Sequence, residues 1–216
     1  CTVARLMQKL GIQGVWRGKN KQTTRSRDDQ KRADDLLKRN FSADHPDQLW
    51  LGDFTYIQTH SGWVYTAFII DVFSRAIVGW KVSTRMNTDM VLDALEQALH
   101  DRGMPKNVIH HSDRGVQYLS IRYTNRLEAA NLRASVGTTG DSYDNALAET
   151  VNGLYKTEVI EYLKADWQGL ADVQLATLNW VDWFNKKRVH SALGYVSPFE
   201  FEAMYYDKIN PLGQVA

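Results

Sequence analysis

Residues 49–83 read LWLGDFTYIQTHSGWVYTAFIIDVFSRAIVGWKVS, three runs of aromatic and β-branched side chains with short polar breaks between them. Such runs, bounded by turn-forming residues, are typical of β-strands. The predicted strands cover residues 49–59, 62–74 and 75–83. Because so few residues connect consecutive runs, we expect the three strands to form an antiparallel meander.

The segments that follow alternate between helical and strand patterns. An amphipathic helix is predicted at 87–103, with Asn87 or Thr88 able to cap its start and Gly103 its end. The further predictions are a strand at 106–111, a helix at 120–132, a strand at 133–137, a polar loop at 138–146 and a long helix at about 144–164. This order indicates an α/β fold with a mixed five-stranded sheet.

The two ends of the chain follow other patterns. Apolar residues at helical spacing predict a helix within residues 2–15 that ends at Gly11. The remaining predictions are a linker at 16–32, a short helix at 33–41 and a mostly helical segment at 169–206 with a break around Gly194 and Pro198.

Composition limits the class of protein. A chain of 216 residues that is 44% hydrophobic can bury one core and a smaller appendage. The single cysteine, Cys1, excludes an internal disulfide and a cysteine-based zinc site. No apolar run approaches the roughly 18–20 residues that span a bilayer, and the start lacks a signal-peptide core. We therefore expect a soluble, intracellular protein, and the initial Cys indicates a piece of a longer reading frame.

The net charge of +1 conceals an uneven distribution of charge. Residues 1–40 contain 11 Lys and Arg against four Asp, whereas the remainder contains 15 basic and 21 acidic residues. A basic arm on an acidic body is typical of a protein whose arm binds a polyanion and whose body holds metal ions with carboxylates. A solvated, partly disordered tail is the alternative interpretation of the same charges.

Two aspartates occupy positions where ligand sites form. Asp53 lies inside an apolar strand, and Asp113 lies just past the end of the fourth strand. Ligand sites of α/β sheets gather beyond strand ends. If the first and fourth strands are neighbours, Asp53 and Asp113 converge.

A third carboxylate, Glu149, lies on the long helix. It belongs to a polar stripe whose members are spaced by four, three and four residues, namely Asn145, Glu149, Asn152 and Lys156. An apolar stripe flanks it, so Glu149 can reach toward the sheet. Carboxylate ligation suits Mg²⁺ or Mn²⁺, and two such ions about 3.5–4 Å apart would serve phosphoryl transfer. Spacing alone leaves open that these acids are turn formers and a solvated helix residue.

Three motifs carry a resemblance to a known family. They are WLGDFTYI (50–57), HHSDRGVQYLS (110–120) and GDSYDNALAETVNGLYKTEVI (140–160), which resemble the catalytic core of insertion-sequence transposases of the OrfB type, whose core is similar to that of retroviral integrases. Between Asp113 and Glu149 lie 35 residues, the DD(35)E spacing of that superfamily, and Lys156 matches the basic residue seven positions past the glutamate. Residues 64–80 and 184–201 resemble further segments of the family.

The resemblance implies an RNase H-like fold in which Asp53, Asp113 and Glu149 bind two Mg²⁺ ions, for which Mn²⁺ can substitute. It implies hydrolysis of a phosphodiester at an element end, followed by attack of the freed 3′-OH on a second DNA strand. The implied domains are 1–44, the remnant of a helix-turn-helix region plus a basic linker; 45–166, the RNase H-like integrase core; and 167–216, a helical C-terminal segment. Residues 6–19 are similar to the last part of that helix-turn-helix region, and only this part of it is present.

Several residues are expected to contact double-stranded DNA, both the element ends and the target. They are Lys156, Arg114 and Asn145 beside the carboxylates, Tyr143 as a stacking or wedging ring, and Arg17, Lys19 and Lys21 in the basic arm. Cutting two ends implies at least a homodimer on DNA. We expect no membrane partner and a location in the bacterial cytoplasm, at the nucleoid when DNA is bound.

Other conspicuous residues receive structural interpretations. His110 and His111 are adjacent on a strand and point to opposite faces, so they are poor joint ligands of one metal ion. The resemblance to the transposase family implies that His111 supports Asp113. Asp71 in the second strand is interpreted as structural. The tryptophans of the strands and of the C-terminal helix (Trp50, Trp63, Trp80, Trp180 and Trp183) are assigned to core packing.

Two other functions remain open at this level. One is an RNase H-like nuclease that hydrolyses DNA without joining strands. The other is a non-catalytic DNA-binding or assembly protein, against which the presence of all three acids argues.

Overall fold

A five-stranded sheet forms the centre of the chain in a computed structural model that describes residues 2–12, 35–37, 40–113, 115–137, 146–163 and 166–210. The strands are β1 (Leu49–Thr59), β2 (Gly62–Asp71), β3 (Ile77–Ser83), β4 (Ile109–Ser112) and β5 (Arg133–Val136). Their order across the sheet is β3-β2-β1-β4-β5, which places β1 in the middle.

The predicted meander and mixed sheet are confirmed. Strands β1, β2 and β3 pair antiparallel, whereas β4 pairs parallel to β1 and β5 parallel to β4. Gly62 supplies the left-handed backbone conformation in the turn between β1 and β2. The parallel pairs need crossover connections, which helices provide.

The described residues contain six α-helices. They are α1 (Thr2–Lys9), α2 (Thr88–Asp101), α3 (Ile121–Ala129), α4 (Ala146–Tyr155), α5 (Leu170–Lys186) and α6 (Pro198–Ile209). Of these, α2, α3, α4 and α5 pack on strands of this sheet. Side-chain oxygens of Asn87, Ser120 and Ser197 cap the starts of α2, α3 and α6. After α4 the helix continues as a π-helix over Lys156–Glu161, and a short 3₁₀ turn, Ser191–Leu193, precedes α6.

The two faces of the sheet build two apolar cores. Helices α2 and α3 cover the face that carries Trp50 and Ile69. Helix α4, its π-helical continuation and α5 cover the opposite face, which carries Leu51 and Phe68. Strand alternation assigns the odd-numbered residues of β1 near its centre to the α4 face, so Asp53 points toward α4.

Long-range polar contacts attach the C-terminal segment to this core. Asn185 of α5 accepts a hydrogen bond from the Ile77 amide (2.9 Å) and donates to the Ile77 carbonyl (2.8 Å), so it pairs with the backbone of edge strand β3. Arg102 pairs with Asp47 at 2.8 Å and with Glu202 of α6 at 2.6 Å. These contacts fix residues 170–209 against the sheet.

Some sequence-based predictions are wrong, and others fall on residues that the structure does not describe. Residues 35–37, 40 and 41 are not helical, so a helix over 33–41 is wrong at the described positions, because Leu37 turns into the core instead. The linker at 16–32 lies outside the described residues.

The assignment of every strand and helix tryptophan to the core is wrong for Trp63 and Trp183, which are 48% and 41% exposed. Among the described residues no helix is long and apolar enough to cross a bilayer.

Candidate active site

Strand register brings Asp53 and Asp113 side by side. The last paired positions of the parallel strands β1 and β4 are Gly52 and Ser112. The next residue of each strand is therefore an aspartate, Asp53 in β1 and Asp113 just beyond β4. This confirms that the first and fourth strands are neighbours, the condition on which the convergence of the two carboxylates depended.

Each of these carboxylates is oriented by backbone amides and side chains. The Asp53 carboxylate accepts hydrogen bonds from its neighbour Phe54 N (2.8 Å) and from Asn152 Nδ2 (2.8 Å). Asp113 Oδ1 accepts from Gly115 N at 2.9 Å. A Cβ at position 115 would lie 2.9 Å from that same oxygen, so a larger residue there would have to displace the Asp113 carboxylate.

Glu149 lies in the first turn of α4, the helix that packs against β1. Asn152, one turn further along, already contacts Asp53, so Glu149 stands on the side of the helix that faces the strand ends. The position confirms that α4 presents its acid-bearing edge toward the sheet. Asn152 itself was assigned to the polar stripe, whereas it is buried and bonded to Asp53.

The electrostatics of Asp53 reflect this arrangement. Burial, with the nearby carboxylates of Asp113 and Glu149, raises the pKa of Asp53 to about 8, although hydrogen bonds from Phe54 and Asn152 oppose the rise. Burial also raises the pKa of Asp113. A bound divalent cation would offset the repulsion between these closely spaced carboxylates.

The donor set fits a hard cation. Carboxylate oxygens are the ligands that Mg²⁺ takes in proteins, and it completes its shell with water and phosphate oxygens. Within the described residues, however, no three side chains of His, Cys, Asp or Glu lie close enough together to form a ready ligand cluster. The three acids therefore interact electrostatically, but within the described residues they do not form a preformed coordination shell.

The two histidines occupy opposite faces of β4, as strand geometry predicts. His110 Nε2 lies 3.0 Å from the Tyr123 hydroxyl, and burial lowers the pKa of His110 to about 3. His111 Nδ1 lies 2.9 Å from Ser135 Oγ. A Cβ at Gly52 would come within 2.9 Å of the His110 ring, so this glycine lets the ring pack against β1. Both histidines thus have structural contacts.

The expected DNA-binding residues divide into described and undescribed positions. Lys156 begins the π-helix, and its Nζ lies 4.6 Å from the centroid of the Tyr56 ring. Arg114, Tyr143, Asn145, Arg17, Lys19 and Lys21 lie outside the described residues. The sequence analysis missed Asn152 as a partner of Asp53; its spacing of three residues from Glu149 is the signal that could have identified it.

Sequence comparisons identify relatives along most of the chain. Residues 43–142 and residues 130–198 each match an integrase core domain family. The transposase for insertion sequence element IS629 of Shigella sonnei is 56% identical over 209 residues, which cover 97% of this chain and 69% of that protein. Transposase InsF for insertion sequence IS3A of Escherichia coli is 40% identical over 172 residues, covering 79% and 59%.

Solved structures with low sequence identity share the fold. A chain of the simian T-cell lymphotropic virus intasome in complex with PP2A regulatory subunit B56 gamma aligns with a TM-score of 0.64 at 17% identity, covering 81% of this chain and 60% of that one. The HTLV-2 integrase catalytic core domain in complex with magnesium, in a trimeric form, aligns with a TM-score of 0.59 at 18% identity, covering 74% and 99%. The sheet and its flanking helices are thus an RNase H-like integrase core.

Proposed function

The chain belongs to the insertion-sequence transposases that carry an integrase core domain, and from this premise we propose that Asp53, Asp113 and Glu149 form its catalytic, metal-binding site. The reaction we assign is cleavage of a phosphodiester at the end of a mobile DNA element, followed by transfer of the freed 3′-OH into a second DNA strand. The observation that carries this assignment is the register of β1 and β4, which makes Asp53 and Asp113 neighbours beneath the helix of Glu149.

The three carboxylates are the residues that would hold Mg²⁺ or Mn²⁺. Two such ions supply Lewis-acid activation of the attacking oxygen and charge neutralisation at the leaving oxygen of an in-line displacement. The raised pKa of Asp53 supports this role, because a carboxylate disfavoured as an anion by burial and by its carboxylate neighbours gains from a nearby cation.

The surrounding residues orient the site. Asn152 holds one oxygen of Asp53 and the Phe54 amide holds the other, so the Asp53 carboxylate has a fixed direction. The Gly115 amide does the same for Asp113. Lys156, on the helix of Glu149, supplies a cation for the DNA phosphates. No covalent bond between protein and DNA is required, because water and then the 3′-OH serve as nucleophiles.

The partners follow from this chemistry. The substrates are double-stranded element ends and double-stranded target DNA, and two ends require at least two protomers in the assembled complex. The two curated relatives described above come from bacteria, which supports a site of action on DNA in the bacterial cytoplasm, at the nucleoid.

An assay on labelled element ends and a target plasmid tests the proposal. We expect nicked ends and joined products with Mg²⁺ or Mn²⁺ and neither with EDTA. Nicking without joining would indicate the plain nuclease, and DNA binding without nicking would indicate the assembly protein. Cleavage that survives Glu149→Gln or persists in EDTA would refute the assigned site.

A further inference from the structure

An exposed tryptophan lies on the same β1–β2 hairpin as Asp53. Trp63 of β2 is 48% exposed, although the strand pattern assigned it to the core. Its ring meets that of Tyr56 of β1 edge-to-face, with centroids 5.3 Å apart and an interplanar angle of 81°. Lys156 lies over the Tyr56 ring at 4.6 Å. We call Tyr56, Trp63 and Lys156 the aromatic–lysine cluster.

The position of this cluster relative to the carboxylates is set by β1 and by the helix of Glu149. Trp63 pairs with Gln58, which follows Asp53 by five residues, a distance of about 17 Å along β1. That distance equals about five base steps of DNA. Lys156 follows Asn152 by four residues, so one helix contacts both Asp53 and the cluster.

The edge of β1 that faces away from β2 is open next to Tyr56 among the described residues. Strand β4 pairs with β1 only from Leu49 to Gly52, so the edge of β1 beyond Asp53 lacks a strand partner there. The helix changes from α to π geometry at Lys156, and π segments are frequent at functional sites. Lys156 reaches Tyr56 from this π segment.

The cluster combines two kinds of binding group. An exposed indole offers a surface for stacking, which contributes about 1–3 kcal/mol per base in proteins that bind single strands. The Lys156 ammonium offers a charge partner for a phosphate and is held near the ring by a cation–π contact. A stacking surface beside a cation suits a nucleotide whose base is unpaired, because paired bases are already stacked in the duplex.

We propose that Tyr56, Trp63 and Lys156 form a subsite for an unpaired nucleotide of the DNA, about five nucleotides from the phosphate held at Asp53. The Trp63 ring stacks on the base, and Lys156 pairs with its phosphate. The subsite rests on the proposed function, since it places a DNA strand along β1. It assigns to Trp63 a role in binding frayed or overhanging ends rather than in packing.

Binding to two DNA duplexes in EDTA tests the subsite without any contribution from catalysis. One duplex is blunt, and the other has about five unpaired nucleotides beside the cleavage position, with 2-aminopurine placed singly at each of the first seven positions. We expect Trp63→Ala to weaken binding to the overhang duplex about tenfold and binding to the blunt duplex less than twofold. Quenching of 2-aminopurine near the fifth position should be lost in Trp63→Ala and retained in Trp63→Phe.

Trp183→Ala is the matched control. Trp183 is 41% exposed on α5, and its truncation should leave both affinities and the quenching unchanged. Equal affinity of wild type and Trp63→Ala for the overhang duplex, or quenching that survives the substitution, would overturn the subsite. Those results leave Mg²⁺-dependent cleavage untouched, whereas cleavage by Glu149→Gln refutes the proposed function, so the two failures are distinguishable.

Discussion

Asp53 and Asp71 are both aspartates on neighbouring strands, and burial raises the pKa of each, yet their surroundings differ. Asp71 is fully buried and accepts three hydrogen bonds of 2.8 Å, from the amide and hydroxyl of Ser74 and from the amide of Asp47. The two Ser74 donors close the turn between β2 and β3, and the Asp47 amide attaches the segment before β1 to it. Asp71 is therefore satisfied by its own part of the fold, which confirms its structural interpretation.

Asp53 is surrounded differently. Its described hydrogen bonds come from Phe54 and Asn152, and the carboxylates of Asp113 and Glu149 raise its pKa further. Asp71 is thus held by three donors with one carboxylate nearby, that of Asp47, whereas Asp53, the proposed metal ligand, has two donors and two neighbouring carboxylates. The same substitution, Asp to Asn, at each of the two positions tests this distinction.

The largest expected difference is in catalysis. We expect Asp53→Asn to slow cleavage and joining by about a thousandfold or more, because it removes a proposed ligand of the metal ions. Asp71→Asn should keep cleavage per folded molecule within a few-fold of wild type. Single-turnover cleavage of labelled ends, normalised to the folded fraction from circular dichroism, measures both. Similar losses in the two variants would remove the distinction.

The next largest effect concerns the residue that orients Asp53. We expect Asn152→Ala to reduce cleavage at low Mg²⁺ by about 10- to 100-fold, since side chains that orient metal ligands contribute that much to affinity or activity. Added Mg²⁺ should restore part of the rate, which a loss of folding would not allow. Thr150→Ala is the control, because Thr150 lies exposed on the same helix and bonds only to the Ala146 carbonyl in the described structure. A Mg²⁺ dependence unchanged by Asn152→Ala would contradict the positioning role.

These contrasts also show what could be predicted from the sequence. The meander follows from runs of aromatic and β-branched residues, whose preference for strands is local. The convergence of Asp53 and Asp113 required one further condition, adjacency of β1 and β4, which strand order alone decides. The RNase H-like fold followed from motif resemblance rather than from periodicity.

The features that could not be predicted depend on contacts distant in sequence. Helical spacing placed Asn152 on a polar stripe, but whether that stripe is buried depends on how α4 lies on β1. Strand composition likewise could not distinguish Trp50, which is covered by helix α2, from Trp63 near the turn of the β1–β2 hairpin. The pairing of Asn185 with Ile77 spans 108 residues and leaves no local pattern.

A smaller effect, opposite in sign for the two aspartates, is expected in stability. Without metal, the unfolded chain loses the proton of Asp53 near its ordinary pKa of 3.8, whereas the folded chain keeps it until about pH 8. The folded state binds more protons in this window, so wild-type stability falls as pH rises from about 4 to 8. Asparagine does not titrate, so Asp53→Asn should be about 1–3 kcal/mol more stable than wild type at pH 9 in EDTA.

Asp71→Asn should instead lose about 1–3 kcal/mol, because an amide group replaces an oxygen that accepts hydrogen bonds from buried donors. Urea unfolding at pH 5 and pH 9 in EDTA measures both changes. The gain of Asp53→Asn should shrink at pH 5, where wild-type Asp53 is protonated in the folded state. If the stability gain of Asp53→Asn did not depend on pH, or if Asp71→Asn were stabilised, the proposed difference between the two aspartates would be wrong.

The smallest expected effect compares the cations near the two aspartates. Lys156 lies on the helix that bears Glu149 and Asn152, whereas Arg75 lies beside Asp71 in the turn before β3. If Lys156 contacts one DNA phosphate, Lys156→Gln should lower the slope of log affinity against log salt concentration by about one, and Lys156→Glu should weaken binding further. Arg75→Gln should leave the slope unchanged, because its charge serves the fold. Binding to element-end duplexes between about 50 and 200 mM salt measures the slopes. Equal slopes for wild type and Lys156→Gln would show that Lys156 does not contact a DNA phosphate.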